Sequence, residues 1–288
     1  MRFSRRQWLT SVAGGAAGLA MSRTLRASST SRPAGLKIGA CDWSIRMDPT
    51  VFALAREIGL DGIQVNMGTT HNNMWLRQPE VRQQYLDASR AAEVKICSLA
   101  LGELNTVPLM SEPLAALWTA DSIDVAVALG VKNILLAFFD KGELREENAA
   151  DMRRVIDVLK ELAPRAEKAG VVLGIESYLS VQGHLQILDA VASPAVQVYY
   201  DFYNSHVTKG YDFREELKAL GGERICEVHF KEGPHMLGQS GKPDWSEVAA
   251  SLRDIGYDGW VVLETAAPSG DVVADMRQNM RYVRELFH

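Results

Sequence analysis

Short apolar segments alternate with longer amphipathic segments along the chain from Leu36 onward. Eight of the apolar segments are rich in Ile, Val, Leu and Cys, which is typical of parallel strands buried on both faces. These segments are Lys37–Cys41, Gly62–Asn66, Lys95–Leu99, Asn133–Ala137, Val171–Glu176, Val196–Asp201, Ile225–His229 and Trp260–Glu264. The pattern therefore predicts eight strands.

The segments between these strands have the spacing of amphipathic helices. Glu147–Ala169 repeats its apolar residues at helical intervals and is followed by Gly170, and Phe52–Ile58 is followed in the same way by Gly59. Eight strand–helix units in a domain of about 250 residues predict an α/β fold, a closed (β/α)8 TIM barrel. A doubly wound open sheet is the alternative, but Cys41–Ser44 lacks the glycine-rich phosphate loop that such a sheet places after its first strand.

The first 34 residues have a different pattern. Ser4–Leu9 contains paired arginines, and the small-residue apolar stretch Ser11–Met21 is shorter than the roughly 20 residues that span a membrane. This arrangement resembles a twin-arginine export signal, and a Ser/Thr/Arg/Pro-rich linker, Ser22–Ala34, follows it. We therefore predict a signal and linker over residues 1–34, a single barrel domain over residues 35–288, and a periplasmic protein. A disordered basic tail is the alternative for the N-terminus.

The overall charge argues against a nucleic-acid partner. The formal net charge is −5, and the lysines and arginines are scattered rather than grouped into a basic stretch. Cys41, Cys97 and Cys226 each lie in an apolar segment, without the spacing of a metal site or redox pair, and are predicted to be buried thiols. The sequence thus favours an enzyme or a binding protein for small molecules.

Four successive predicted strands, the fifth to the eighth, end on side chains that can bind a metal. These residues are Glu176, Asp201, His229 and Glu264. The C-terminal ends of barrel strands meet at one face, where barrel active sites form, so the four side chains are predicted to converge. Three carboxylates and one imidazole suit Mn²⁺, Mg²⁺ or Co²⁺, with Zn²⁺ as a further alternative. A solvated barrel rim without metal remains the other interpretation.

These strand ends, together with the loop Leu237–Trp245, resemble the sugar phosphate isomerase/epimerase branch of the xylose-isomerase-like barrels. The resemblance extends over Leu36–His288. It implies that one divalent cation, Mn²⁺ in the first place, is held by four ligands, two of which also act as the catalytic acid/base pair. The implied ligands are Glu176, Asp201, His229 and Glu264, and the implied catalytic pair is Glu176 and Glu264.

The resemblance implies a divalent-metal-dependent sugar isomerase or epimerase. A hydroxy-ketone would chelate the cation, one glutamate would remove a proton to give a cis-enediolate, and the other glutamate would return a proton. A metal-dependent lyase or dehydratase, acting by 3-keto-glycoside elimination or keto-inositol dehydration, is the main alternative. An abasic-site-type endonuclease and a non-catalytic sugar-binding barrel are weaker ones. The expected partner is a sugar or glycoside, with a homo-oligomer left open and no stable membrane span expected.

Polar and aromatic side chains near the predicted strand ends are candidates for contacting the sugar. Asn204 stands where relatives often carry a histidine, so His206 is a candidate to replace it from the next turn. Lys231 follows His229 by two residues and is expected to point the same way. Aromatic rings at such positions often stack on sugars. The predicted substrate contacts are Trp43, Gln64, Glu103, Asn204, His206, Lys231 and Trp245.

Overall fold

The computed structural model describes residues 36–288. The predicted export signal and linker, residues 1–34, lie outside the described residues, so the predicted periplasmic location stays a prediction. None of the described helices is long and apolar enough to cross a membrane. The three cysteines are buried free thiols, as predicted.

Eight parallel strands form a closed barrel in the order β1 to β8, which confirms the predicted fold. Each strand lies within two residues of its predicted bounds; the third extends to Leu101, and the eighth ends one residue before Glu264. The strands are Lys37–Cys41 (β1), Gly62–Asn66 (β2), Lys95–Leu101 (β3), Asn133–Phe138 (β4), Val172–Ser177 (β5), Val196–Asp201 (β6), Ile225–Phe230 (β7) and Trp260–Leu263 (β8).

Eight helices surround the barrel and pack their apolar faces on the strands. The fourth helix begins at Ala149 rather than at the predicted Glu147, because the Asn148 side chain caps it by accepting the Asp151 N–H. The same helix ends where Gly170 adopts a left-handed conformation. The helices are Val51–Ile58 (α1), Pro79–Ala92 (α2), Pro113–Leu129 (α3), Ala149–Ala169 (α4), Val181–Val191 (α5), Phe213–Leu220 (α6), Trp245–Asp254 (α7) and Val272–Leu286 (α8).

The register of the last strands sets the height of the side chains at the barrel mouth. Asp201 on β6 pairs with His229 on β7, and His229 pairs in turn with Val262 on β8. Glu264 follows β8 directly, and its backbone N–H donates to the Phe230 carbonyl. The polar ends of β6, β7 and β8 therefore lie at the same height along the barrel axis, and the apolar residues of these strands lie below them in the core.

Candidate active site

Glu176, Asp201, His229 and Glu264 converge at the C-terminal mouth of the barrel. One potential ligand atom from each residue lies within 4.8 Å of the corresponding atoms of the others. His229 Nδ1 is 3.1 Å from a Glu176 oxygen, 3.4 Å from a Glu264 oxygen and 3.9 Å from an Asp201 oxygen. The structure thus brings together the four residues that were predicted to meet.

The charge of this cluster fits a divalent cation. Asp201 Oδ2 is buried and accepts no hydrogen bond from the described residues. A buried carboxylate oxygen without a hydrogen bond is costly, and three carboxylates around one imidazole nitrogen offer the oxygen-rich shell that hard cations prefer. The Lys231 ammonium lies 3.0 Å from Glu264 Oε2 and 3.3 Å from Asp201 Oδ2, so it offsets part of the negative charge.

The ionisable groups of the cluster influence each other strongly. Burial raises the pKa values of Glu176 and Asp201, although the positive neighbours act against it. Burial would also raise the pKa of Glu264, but Lys231 and His229 outweigh it and leave that pKa lowered. Burial lowers the pKa values of His229 and Lys231, and the surrounding carboxylates outweigh this effect and raise both. The two glutamates therefore differ in proton affinity.

A cavity of about 350 Å³ opens above the cluster. It is lined by four of the predicted substrate contacts, Trp43, Glu103, Asn204 and Lys231. The Trp43 indole N–H donates to Glu264 Oε1 at 3.1 Å. Asn204 donates its backbone N–H to Asp201 at 2.8 Å. Glu103 accepts the Thr70 backbone N–H and so is already partly engaged. Four of the seven predicted substrate contacts therefore reach the cavity.

Gln64 does not line the cavity, which corrects its predicted position. It lies two residues before the end of β2, and the strand end itself, Asn66, reaches the cavity. Side chains two residues apart on a barrel strand lie in successive interior layers, so Gln64 sits one layer below the mouth. It is fully buried there, and its amide oxygen is 2.9 Å from His229 Nε2.

The structure also places His206 and Trp245 away from the cavity. A π-helix, Tyr203–Thr208, carries the His206 ring to a separate surface pocket, where Nδ1 bonds to the Tyr211 carbonyl at 2.7 Å. Trp245 is 1% exposed and stacks on Phe230 with ring centroids 4.4 Å apart, because its ring fills the space between β7 and α7. Trp245 is thus a core residue at the start of α7, so the prediction that it stacks on a sugar is wrong.

Besides Asn66, the residues at or beside the site that were not predicted include Glu232, Phe139 and Tyr178. Glu232 is fully buried and accepts the Gly238 and Ser240 backbone N–H groups and, at 2.7 Å, the Trp245 indole N–H, so it shapes the loop after β7. Phe139 and Tyr178 follow β4 and β5 and form an edge-to-face pair on the cavity wall, with centroids 4.8 Å apart. Each lies two residues past the end of a predicted strand, and this position near the barrel mouth was the available signal.

Asp42 is a buried carboxyl group that supports the loop carrying Trp43. Its Oδ2 accepts the Asn66 N–H at 2.9 Å, which joins the ends of β1 and β2, while its Oδ1 has no partner among the described residues. Burial raises the pKa of Asp42 to about 7, against the effect of hydrogen bonds from the Asn66 and Trp43 backbones. Ionised Asp42 therefore destabilises the fold near neutral pH.

Asp42→Asn is expected to gain stability relative to the wild type as the pH rises. Folded Asp42 takes up its proton at a higher pH than an unfolded aspartate does, so the wild type loses stability between about pH 4 and about pH 7. The variant avoids this loss, which is on the order of a few kcal/mol. Thermal unfolding from pH 4 to 8 checks this, with Asp254→Asn on the exposed surface as control. Parallel pH profiles for Asp42→Asn and the wild type would contradict it.

Comparisons with known proteins agree with this architecture. The sequence model of the xylose isomerase-like TIM barrels matches residues 52–286. The 2-epi-5-epi-valiolone 7-phosphate 2-epimerase of an Actinoplanes strain is 28% identical over 211 residues, which are 71% of this chain and 75% of that protein. The D-psicose 3-epimerase of Enterocloster bolteae is 25% identical over 138 residues, so the chain matches only 45% of that relative's length.

A solved structure extends the likeness over most of the fold. The D-psicose 3-epimerase of Clostridium cellulolyticum, crystallised with D-tagatose, superposes with a TM-score of 0.73 at 16% identity. The superposition covers 88% of this chain and all of that one. Because the family model covers most of the barrel, the chain belongs to the family of xylose isomerase-like TIM barrels.

Proposed function

We propose that this protein is a divalent-metal-dependent epimerase or isomerase of sugars. The observation that carries the proposal is the convergence of Glu176, Asp201, His229 and Glu264 within 4.8 Å at the barrel mouth. Two curated relatives are named as epimerases, which supports an isomerase/epimerase enzyme. No observation favours the lyase alternative.

The four converging residues would hold the cation, with Mn²⁺ as the first candidate. When bound, the cation would polarise the substrate carbonyl and so acidify the neighbouring C–H bond. Glu176 lies in β5 and Glu264 follows β8, three strands further round the closed barrel, so the two carboxylates would reach a bound sugar from different sides. One glutamate would remove the proton and the other would return a proton, which inverts the configuration or moves the carbonyl.

Neighbouring residues would hold these glutamates and the substrate in place. The Trp43 indole N–H fixes one Glu264 oxygen, and the Lys231 ammonium contacts the other, so the carboxylate has little freedom to turn. Asn204 Nδ2 is 3.4 Å from Glu176 Oε1 and restrains that carboxylate less tightly. The sugar hydroxyl groups would then form hydrogen bonds with Asn66 and Glu103 on the cavity wall.

The cavity favours an uncharged sugar over a sugar phosphate. Lys231 is the single cationic side chain among the described lining residues, and it already contacts two carboxylates. A phosphate group would find no free cation there and would meet the carboxylate of Glu103. Part of the wall is apolar or aromatic and includes Phe139, Tyr178 and Met47, which is 51% exposed. Such a wall suits the C–H face of a sugar ring or a glycosidic substituent.

A panel of substrates tests this proposal directly. We expect the Mn²⁺-loaded protein to convert a free ketohexose such as D-psicose with a kcat/KM at least about tenfold above that for a phosphorylated ketose, which corresponds to about 1.4 kcal/mol. Proton NMR of the sugars would identify the epimer formed. A 3-keto-glycoside in the same panel distinguishes the outcomes, since release of its aglycone without epimer formation would establish a lyase instead. A preference for the phosphorylated ketose would contradict the assigned substrate class.

A further inference from the structure

The side-chain amide of Gln64 connects the His229 imidazole to two hydroxyl groups in the barrel interior. Gln64 Oε1 is 2.9 Å from His229 Nε2. Gln64 Nε2 donates to the Tyr199 hydroxyl at 2.9 Å and to the Ser98 hydroxyl at 3.1 Å. Gln64, Ser98 and His229 are fully buried and Tyr199 is 1% exposed, so these groups bond to one another instead of to bulk water.

We propose that Gln64 is a positioning residue that keeps a proton on Nε2 of His229 and leaves Nδ1 as the metal-binding atom. The inference rests on the proposed function, because it assigns a role only if the four residues at the mouth hold a cation. Nδ1 is the nitrogen that faces the carboxylates, at 3.1 to 3.9 Å from one oxygen of each. A proton on Nδ1 would occupy the direction from which a cation must bind.

The chemistry of the amide sets the position of this proton. An amide oxygen only accepts hydrogen bonds, so the imidazole nitrogen beside it has to donate. A neutral imidazole carries one N–H, and placing it on Nε2 leaves the lone pair on Nδ1. Metal-binding histidines commonly donate their other N–H to an acceptor that fixes the ring in this way. The Cys41 thiol, 3.3 Å from the same Gln64 oxygen, is a second donor to it.

The groups below Gln64 favour the same orientation of the amide. If the amide oxygen and nitrogen of Gln64 exchanged places, the NH₂ group would point at His229. The amide oxygen would then have to accept hydrogen bonds from the Ser98 and Tyr199 hydroxyls. The fully buried carboxyl group of Glu227 lies near these hydroxyls, and neither of its oxygens is engaged in a hydrogen bond within the described residues. A carboxyl group keeps an acceptor oxygen whether or not it is ionised. It can therefore take the hydroxyl protons, which leaves the hydroxyl oxygens free to accept from Gln64.

Substitution of Gln64 separates its role from general packing. Gln64→Met keeps the length of the side chain but removes the acceptor, so we expect the Mn²⁺ dissociation constant, measured by calorimetry, to rise about 10- to 100-fold. Gln64→Glu keeps an acceptor for the Nε2 proton and should bind Mn²⁺ within a few-fold of the wild type. Tyr199→Phe removes one partner of the amide and should weaken binding less than Gln64→Met. Thr119→Val, a buried polar deletion in α3, is the packing control and should leave the affinity unchanged.

The imidazole nitrogens of His229 provide the second measurement. In ¹⁵N-histidine-labelled protein loaded with Mg²⁺, we expect a protonated Nε2 and an unprotonated Nδ1 in the wild type, and loss of this pattern in Gln64→Met. An unchanged nitrogen spectrum together with wild-type Mn²⁺ affinity in Gln64→Met would overturn the inference. A wild-type protein that binds no Mn²⁺ would contradict the proposed function instead. The spectra of metal-free wild type and Gln64→Met, recorded at a pH at which His229 has lost one of its two ring protons, would then still decide whether Gln64 holds the remaining proton on Nε2.

Discussion

Glu176→Gln and Glu264→Gln are each expected to lower kcat by about 10²- to 10⁴-fold, the range typical of a lost general acid or base. An amide keeps the shape of the side chain but cannot exchange a proton with the carbon of a sugar. Assays at saturating Mn²⁺ separate this loss from weaker metal binding. Thermal unfolding should show that both variants fold, since each replaces a buried (Glu176) or half-buried (Glu264) carboxylate by a neutral group of equal size.

Glu103→Gln is the matched control for these two variants. Glu103 also lines the cavity, but it lies outside the cluster and already accepts the Thr70 backbone N–H. We expect a change mainly in KM, because the residue can contact the substrate without reaching the carbon that loses its proton. A wild-type kcat in either glutamate variant of the cluster, or a loss of kcat in Glu103→Gln as large as theirs, would contradict the catalytic assignment.

Asp201→Asn is expected to abolish Mn²⁺ binding at micromolar concentrations while making the metal-free protein more stable. Asp201 is buried, its Oδ2 has no hydrogen-bond partner among the described residues, and burial raises its pKa. Neutralising it relieves the repulsion with Glu176 and Glu264 when no cation is present. This gain should outweigh the weakened contact with Lys231, because burial leaves the pKa of Asp201 raised in spite of that ammonium. The same change removes a ligand and one unit of the charge that attracts the cation.

Thermal unfolding with and without Mn²⁺ measures both effects in one experiment. A ligand at 100 times its dissociation constant stabilises a folded protein by about 2.7 kcal/mol, so the wild type should unfold at a clearly higher temperature with Mn²⁺. Asp201→Asn should show no such increase, and its metal-free form should unfold above the metal-free wild type. Equal stabilisation of both proteins by Mn²⁺ would mean that the cation binds elsewhere.

The ends of β5 to β8 could be predicted because two signals coincide there. Each strand is mostly apolar, and Glu176, Asp201, His229 and Glu264 stand at or just after the same end of these strands. In a parallel barrel this position corresponds to one face, so spacing along the chain translates into proximity in space. The apolar pattern defines helix ends less closely than strand ends, since the cap at Asn148 places the start of α4 two residues after the predicted one.

The surrounding residues could not be predicted as well because their position depends on local backbone geometry. The π-helix after β6 contains an extra residue per turn, and this rotates His206 away from the cavity. A tryptophan such as Trp245 looks the same in the sequence whether its ring stacks on a sugar or fills the core. Gln64 was assigned to the end of β2, but the two residues that follow it in the strand place it one layer lower. The differences at His206 and Trp245 leave no pattern in a single sequence, whereas the predicted bounds of the second strand, Gly62–Asn66, already place Gln64 two residues before its end.

The most direct test of the central claim, proton exchange at the Glu176–Asp201–His229–Glu264 cluster, is the transfer of solvent deuterium into the sugar. We expect the Mn²⁺-loaded protein, incubated with a free ketose in deuterium oxide, to place one deuterium on the carbon whose configuration changes. After removal of the cation by a chelator, or in Glu264→Gln, this incorporation should fall by at least about 10². Epimer formation without deuterium, or incorporation that continues at the same rate without the cation, would contradict the claim.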